Sequence, residues 1–415
     1  MLIIILILAI YCWIIDGRLA STNVLISSKL YTIGGVLNSQ LDSNFFYFDF
    51  SILFDTSLPS YNYLNSIPVN SAWGTASVGG INMSEIFLFG GIMTNKNNNS
   101  LSNNLIYCFD TINKTWTAPK ISGTQPIRRR EASSTFNPNN GWIYIFGGAP
   151  VQFNSHINAI LFNDFIILDS VNLSWVNFKS PLNVPTRRAS HTATLVNGYI
   201  IIIGGTEMTD DFTLKDTDIN QIWLYDTNLG TWKNQVGSQY NVTAGGDNVG
   251  TRGGHTAVFD LNGNIIVYGG SNVDNKRSTP DLIILNVATS SFKWSAPSIS
   301  PDNAPPPLTY HTAAIFKNYM IISNGNITNN FSGPLSSNSK MFLFDINSLK
   351  WITTYIPYSG MQHISIVYNY SILIKIIQIN GIIVHVAVVI GLTIIYLFNC
   401  IKPKNQMKRD STKNM

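Results

Sequence analysis

Residues 187–205 read RRASHTATLVNGYIIIIGG and, after a polar stretch, residues 222–232 read IWLYDTNLGTW. Together they spell one four-stranded unit. His191–Val196 reads as a first strand, Asn197-Gly198 as a tight hairpin, and Tyr199–Ile203 as the continuous apolar run of a strand covered on both faces. Gly204-Gly205 ends that run, because two glycines permit positive φ and close backbone approach where the chain leaves a crowded centre. Gln221–Tyr225 then reads as a third strand, Asp226–Gly230 as a turn, and Thr231-Trp232 opens a fourth.

The unit recurs along the chain. Two-residue stops stand at Gly34-Gly35, Gly90-Gly91, Gly147-Gly148, Gly204-Gly205, Gly269-Gly270 and, degenerately, Asn324-Gly325, spaced 56, 57, 57, 65 and 55 residues apart. Such a period belongs to a supersecondary unit repeated around an axis. Asp110 and Trp116, Asp169 and Trp175, Asp226 and Trp232, and Asp345 and Trp351 share one spacing. A Trp at a fixed place on each outer strand supplies apolar area to wedge between neighbouring sheets, none of which can bury both faces alone. Two units depart from the pattern. Unit one has Asp49 followed by Phe54 and no Trp; unit five has Asn286 in the Asp place and Trp294 displaced by two. Both are expected to be the weaker units.

A basic or small residue before the first strand, an apolar strand ending in Gly-Gly, then an aromatic strand, Asp and Trp: over residues 22–357 this resembles the kelch repeat family. The resemblance implies a β-propeller. The expected fold is therefore all-β, a six-bladed kelch-type propeller with seven blades as the alternative, and one C-terminal transmembrane helix. Six is favoured because Tyr370–Ile374 leads into membrane sequence with no Gly-Gly. His363–Val367 is expected to close the ring by pairing with the first unit.

The two ends point to export. Leu2–Ile15 is an apolar run of signal-peptide length, so residues 1–20 are expected to be a signal peptide, the cut following either Gly17 or Ala20. The propeller is assigned to 22–370. Residues 382–401, IIVHVAVVIGLTIIYLFNCI, are long enough to span a bilayer, which takes about 20 residues. Lys402, Lys404, Lys408, Arg409 and Lys413 follow, so 402–415 reads as a basic cytoplasmic tail. The expected product is a single-pass type I membrane protein of the plasma membrane or secretory pathway, its propeller extracellular or lumenal.

With charged residues at 12% of the 415 and a formal charge of +4, no basic groove for nucleic acid is expected. Only Cys108 of the three cysteines lies in the repeats, so neither a disulfide framework nor a cysteine-rich zinc site is expected.

In an antiparallel blade the tight first-to-second and third-to-fourth turns share one face, and the longer connections share the other. Thr94–Asn104, Ala149–Asn163, Thr206–Asn220, Ser271–Pro280 and Asn326–Ser339 thus gather together, and loops on a rigid scaffold are where binding usually resides. The starts of the first strands reach the same face. They carry Arg130, Arg188 and Arg252, which could ring a channel mouth and hold carboxylates, sulfated sugars or an acidic peptide; the competing reading is that they bond loop carbonyls. His191, His255, His311 and His363 stand at equivalent places, and positions spread around a ring argue for structure rather than a metal. Tyr310-His311 is similar to the copper-ligand pair of galactose oxidase, whose blades are kelch-like. The cysteine cross-linked to tyrosine and the histidine from a later domain, which that enzyme needs, are not matched here. No catalytic, cofactor or metal residue is therefore assigned. Among the sequons, Asn113 and Asn172 lie in exposed third-to-fourth turns and are the expected glycosylation sites. The function expected is recognition of a protein partner by the long-loop face, with carbohydrate binding or oxidation as the alternative.

Overall fold

A computed structural model of the chain describes residues 17–151, 160–176, 184–233, 241–328 and 336–357. The signal core, His363–Val367, the span 382–401 and the tail 402–415 lie outside them. Of the two compact units into which the chain divides, Met1–Ile356 and Pro357–Met415, the first holds all that follows. Among the described residues no helix is long and apolar enough to cross a membrane.

Every described sheet of four or more strands is built as the quoted unit predicts. In the fourth unit Thr192–Val196, Tyr199–Ile203, Gln221–Asp226 and Thr231–Trp232 pair antiparallel in that order. Asn197 and Gly198 both take positive φ, 48° and 83°, the geometry a two-residue hairpin needs to match strand twist. Six sheets of this kind occur among the described residues, with first strands Thr22–Ile26, Thr75–Gly79, Ser133–Asn137, Thr192–Val196, Thr256–Phe259 and Thr312–Phe316. Each first strand neighbours the next, and the sixth neighbours the first. The fold is a β-propeller.

Burial on both faces explains the apolar second strands. Ile200 and Ile202 pack with Tyr144, Phe146 and Ile167 of the third unit. Ile201 and Ile203, pointing the other way, pack with Ile265, Val267 and Ile283 of the fifth. Each such side chain, removed from water, contributes about 1.5–3 kcal/mol. A polar residue has no exposed face to occupy there.

The tryptophans wedge between sheets as their spacing predicts, each against the unit before it. Ring centroids lie 4.9 Å apart for Trp116 and Phe45, 6.0 Å for Trp175 and Phe89, 5.4 Å for Trp232 and Phe146, and 5.5 Å for Trp351 and Tyr268. Trp294 corrects the expectation of a weak fifth unit. It pairs with Leu285 as Trp232 pairs with Tyr225, because the longer turn absorbs the two extra residues, and it is buried against Ile201 and Ile203. In unit one the wedge is aromatic but not Trp: Phe50 stacks on Phe316 at 5.4 Å, and Phe54 on Tyr355 at 5.4 Å.

Closure differs from expectation. The first sheet is completed at its inner edge by Thr22–Ile26, from the segment that follows the apolar run. Apart from that sheet, whose outermost strand is Tyr61–Tyr63, Thr354–Tyr355 pairs with Phe54–Asp55 in a two-stranded link between the sixth and first units. The long interval between the fourth and fifth stops is also accounted for in part: Asn241–Thr243 continues the fourth sheet beside Gln221–Trp223, and Gly245–Gly246 adds a parallel strand outside the fifth.

Candidate functional site at the ring axis

The arginines ahead of the third, fourth and fifth first strands are part of the scaffold. Arg188 is 1% exposed and Arg252 0%. Arg252 donates to the carbonyls of Gly250, Gly269 and Pro280 at 3.1, 2.9 and 2.9 Å. Arg188 donates to Thr186 and Gly204 at 3.2 and 3.3 Å. The third member of the series is Arg129, not Arg130: its guanidinium reaches Ile127 and Gly147 at 3.4 and 3.1 Å and grips Asp164 with both nitrogens at 2.7 and 3.1 Å. In every case the acceptors include the carbonyl two residues back and the first glycine of the repeat's own stop. Burial lowers the Arg188 and Arg252 guanidinium groups to about 10, still protonated at neutral pH. Of the two readings open for these arginines, Arg188 and Arg252 follow the one in which they bond backbone carbonyls, and neither joins a ring at a channel mouth. Both point into the fold, and a run of three arginines at 128–130 hides that Arg129, not Arg130, is in register with them. Replacing Arg252 with Met should cost about 3 kcal/mol, since buried carbonyls lose their donors; a urea midpoint unchanged from the parent would refute this role.

The histidines stitch adjacent units. Nε2 of His191, His255 and His311 shares a hydrogen bond with the hydroxyl opening the previous unit's first strand, Ser133, Thr192 and Thr256, at 2.7, 3.1 and 2.7 Å. Burial, with Arg252 and His311 nearby, lowers His255 to about 3, and burial lowers His311 to about 3. These imidazoles are neutral. His311 therefore serves the scaffold beside Tyr310, and among the described residues no group of three His, Cys, Asp or Glu could hold a metal. Cys108 is buried, its thiol pushed up to about 12 by burial and by Glu85 and Asp110. It is not a nucleophile at neutral pH.

What remains at the axis is a ring the sequence did not reveal. Two residues past each scaffold position stand Ala20, Trp73, Glu131, Ser190, Gly254 and Tyr310, all left-handed with φ between 50° and 63°. Their backbones bond in a closed cycle: Ala20 N–H to Tyr310 at 3.1 Å, Trp73 to Ala20 at 2.9, Glu131 to Trp73 at 2.9, Ser190 to Glu131 at 3.0, Gly254 to Ser190 at 2.8, and Tyr310 to Gly254 at 2.7. Side-chain identity varies completely, so no pattern marked these places. The available signal was the Ser or Thr always found two residues later, at Thr22, Thr75, Ser133, Thr192, Thr256 and Thr312.

Three of the six ring residues are large, and they define a site. Above the ring, on the long-loop side, lies a cavity of about 410 Å³ whose wall includes Arg130, Glu131, Leu214, Asn272, Asp274 and Tyr310. A smaller one of about 130 Å³ continues along the axis past Trp73 and the histidines, sharing Glu131, Ser190 and Tyr310. The ring is the waist between them. Arg130 pairs with Glu131, whose carboxylate also accepts from the Ser190 hydroxyl at 2.5 Å. Trp73 and Tyr310 meet edge to face at 4.7 Å. Of the three arginines expected to bind, Arg130 alone belongs to this cavity. The site offers an aromatic corner, an ion pair and amide groups from a loop, all suited to non-covalent recognition.

The comparisons agree with this architecture. The model of the KLHDC2/KLHL20/DRC7 Kelch-repeats domain matches residues 20–244 and 236–376. The chain belongs to this kelch-repeat family. Kelch-repeat proteins are generally non-enzymatic interaction modules that bind protein partners. The chain is 28% identical to Kelch domain-containing protein 3 of Bos taurus over 213 residues, 50% of each chain. It is 27% identical to a Kelch repeat-containing protein of Arthroderma benhamiae over 216 residues, 50% of this chain and 30% of that one. It thus spans half or less of the length of these relatives.

Proposed function

We propose that this kelch chain is a recognition module that grips a protein partner in the axial cavity of its long-loop face. The observation that carries the reading is that cavity: it is the place where a rigid ring, an ion pair and an aromatic corner meet loops on one side. The scaffold around it is read as a six-bladed propeller, a reading supported by the backbone cycle at the axis, which returns to its start after six residues. Its partner is a polypeptide, since a mixed charge and an aromatic wall suit a side chain entering from a larger surface. A nucleic acid would need a basic surface instead.

The propeller works outside the cell or in the secretory lumen. The supports are the apolar run Leu2–Ile15, the span 382–401 and the basic tail, all read from sequence. N-linked glycans at Asn113 and Asn172 fit that placement. Both asparagines are exposed, and their side-chain amides donate to Asp110 and Asp169 at 2.7 and 2.8 Å, holding the third-to-fourth turns on the face away from the cavity.

Proximity labelling from the full-length chain in its native cell tests the function. Arg130→Ala combined with Leu214→Asp should remove a defined set of protein neighbours, while Lys293→Ala, on an outer strand, should keep them. A neighbour set unchanged by the cavity variant overturns the reading. Retention of neighbours together with specific binding on a glycan array would transfer the site to a carbohydrate.

A further inference from the structure

Residues 18–21 were expected to belong to, or border, a removable leader, yet the backbone of Arg18, Leu19 and Ala20 makes the same hydrogen bonds as the corresponding residues of other units. Arg18 holds the scaffold position. Its side chain is 3% exposed, its Nε donates to Asp42 at 3.0 Å, and its guanidinium lies 5.0 Å above the Phe46 ring. Its carbonyl accepts from Gly325 N–H at 2.6 Å. That bond is the sixth of a series in which the last residue of each stop donates to the next unit's scaffold position: Gly35 to Ser71, Gly91 to Arg129, Gly148 to Arg188, Gly205 to Arg252 and Gly270 to Leu308, at 2.7 to 2.9 Å. Leu19 exchanges two backbone bonds with Val36, at 3.2 and 2.8 Å, as Arg130 pairs with Ala149 and Ala189 with Thr206. Ala20 occupies the ring at the axis, donating to Tyr310 and accepting from Trp73.

Two bonds were open to the leader peptidase on sequence grounds, the one after Gly17 and the one after Ala20. They differ in what the folded product keeps. A cut after Ala20 deletes Arg18, Leu19 and Ala20. It leaves the Gly325 and Trp73 N–H groups and the Tyr310 carbonyl without their partners, Val36 without either of its bonds to Leu19, and Asp42 without its guanidinium. The seam between the sixth and first units then has no inner stitch, and unpaired buried groups of this kind are costly. A cut after Gly17 removes none of these contacts. Neither bond has a small residue in third place before it, Ile15 for the earlier cut and Arg18 for the later, and of the two the charged Arg18 is the poorer fit.

We propose that Arg18–Ser21 is the strap that closes the propeller, and that the leader is removed at the Gly17–Arg18 bond. Water adds across that amide. The leader leaves with a carboxylate on Gly17, and the mature chain begins with the α-ammonium of Arg18. The position of the cut rests on the export reading above; the strap does not.

Two measurements test this. The full-length chain is expressed in secretory cells, purified from membranes, and its amino terminus determined by mass spectrometry. A terminus at Arg18 is expected. A terminus at Ser21, or at any other residue, overturns the assigned cut, and an intact Met1 overturns the export reading with it. Independently, chains that begin at Arg18 and at Ser21 are compared by thermal unfolding, together with Arg18→Ala in the longer one. The Ser21 chain should fail to fold or melt at least about 5 °C lower, and Arg18→Ala should melt several degrees lower. Equal melting of all three would overturn the strap wherever the cut falls.

Discussion

Lowering the pH from 7.5 to 5 should remove about 4 kcal/mol of folding stability through His255 and His311, roughly 2 kcal/mol for each, with His191 adding a loss in the same direction. In the unfolded chain these imidazoles bind a proton near pH 6.5. In the folded chain His255 and His311 do so only at about 3, and His191 is likewise lowered well below its ordinary value by burial, by Arg188 and by His255. A depressed folded value means the unfolded state binds more protons throughout the interval between the two. Stability is therefore complete above about pH 6.5 and falls as the pH drops from there toward 3. The window ending at pH 5 is chosen because carboxylates ordinarily titrate lower; Asp110 is held below the ordinary range by hydrogen bonds from Asn113 and Ile112, whereas Glu85 is raised by burial and by Asp110. Urea unfolding followed at pH 7.5, 6.5, 5.8 and 5.0 measures the slope. Changing all three histidines to Gln should lower stability at pH 7.5 and flatten the slope. A parent protein equally stable at pH 7.5 and 5.0 would contradict the stitching role.

How legible the molecule was depends on whether a constraint repeats as a side chain or only as a backbone shape. The glycine stops were readable because few other residues fit, Asn324 with φ of 62° being the exception: Gly204 has φ of 60°, and a Cβ there would lie 2.6 Å from the carbonyl oxygen of Arg252. The histidines and tryptophans were readable because each fills an equivalent hole between two sheets. The scaffold arginines were half readable. Leu308 and Ser71 replace arginine in two units, and the hairpin between first strand and stop varies in length, so counting back from the stop did not separate Arg129 from Arg130. Arg18 was hidden by its position beside an apolar run, which claimed it for the leader. The axial ring was invisible for a different reason. It asks only for a left-handed backbone and a peptide bond, which Ala20, Trp73, Glu131, Ser190, Gly254 and Tyr310 all provide, and so the side chains there were free to diverge. Freedom of that kind at the centre of a fixed frame is what a recognition site requires, because the cavity can change its lining without disturbing the blades.

The single substitution with the largest expected cost is Trp294→Ala, at about 3–5 kcal/mol. Trp294 is 2% exposed and lies in the largest apolar cluster, between Ile201, Ile203 and Leu224 of the fourth unit and Val267, Ile283 and Leu285 of the fifth. Removing the indole empties a space that neighbouring strands cannot collapse to fill, since each is already fixed by hydrogen bonds on both sides. The backbone adds to the effect: the carbonyl of Trp294 accepts from Asp247 N–H at 3.0 Å, and Gly245–Gly246 runs parallel to this strand, so the link between the two units is anchored on the same residue. Trp175→Ala, on a two-residue strand whose indole is only half-buried, should cost less than half as much. Urea unfolding of both variants at pH 7.5 decides between this account and the sequence-level view of a weak fifth unit. Should Trp294→Ala prove no more damaging than Trp175→Ala, the displaced tryptophan would not be a full wedge, and the register it shares with Trp232 would carry no energetic meaning.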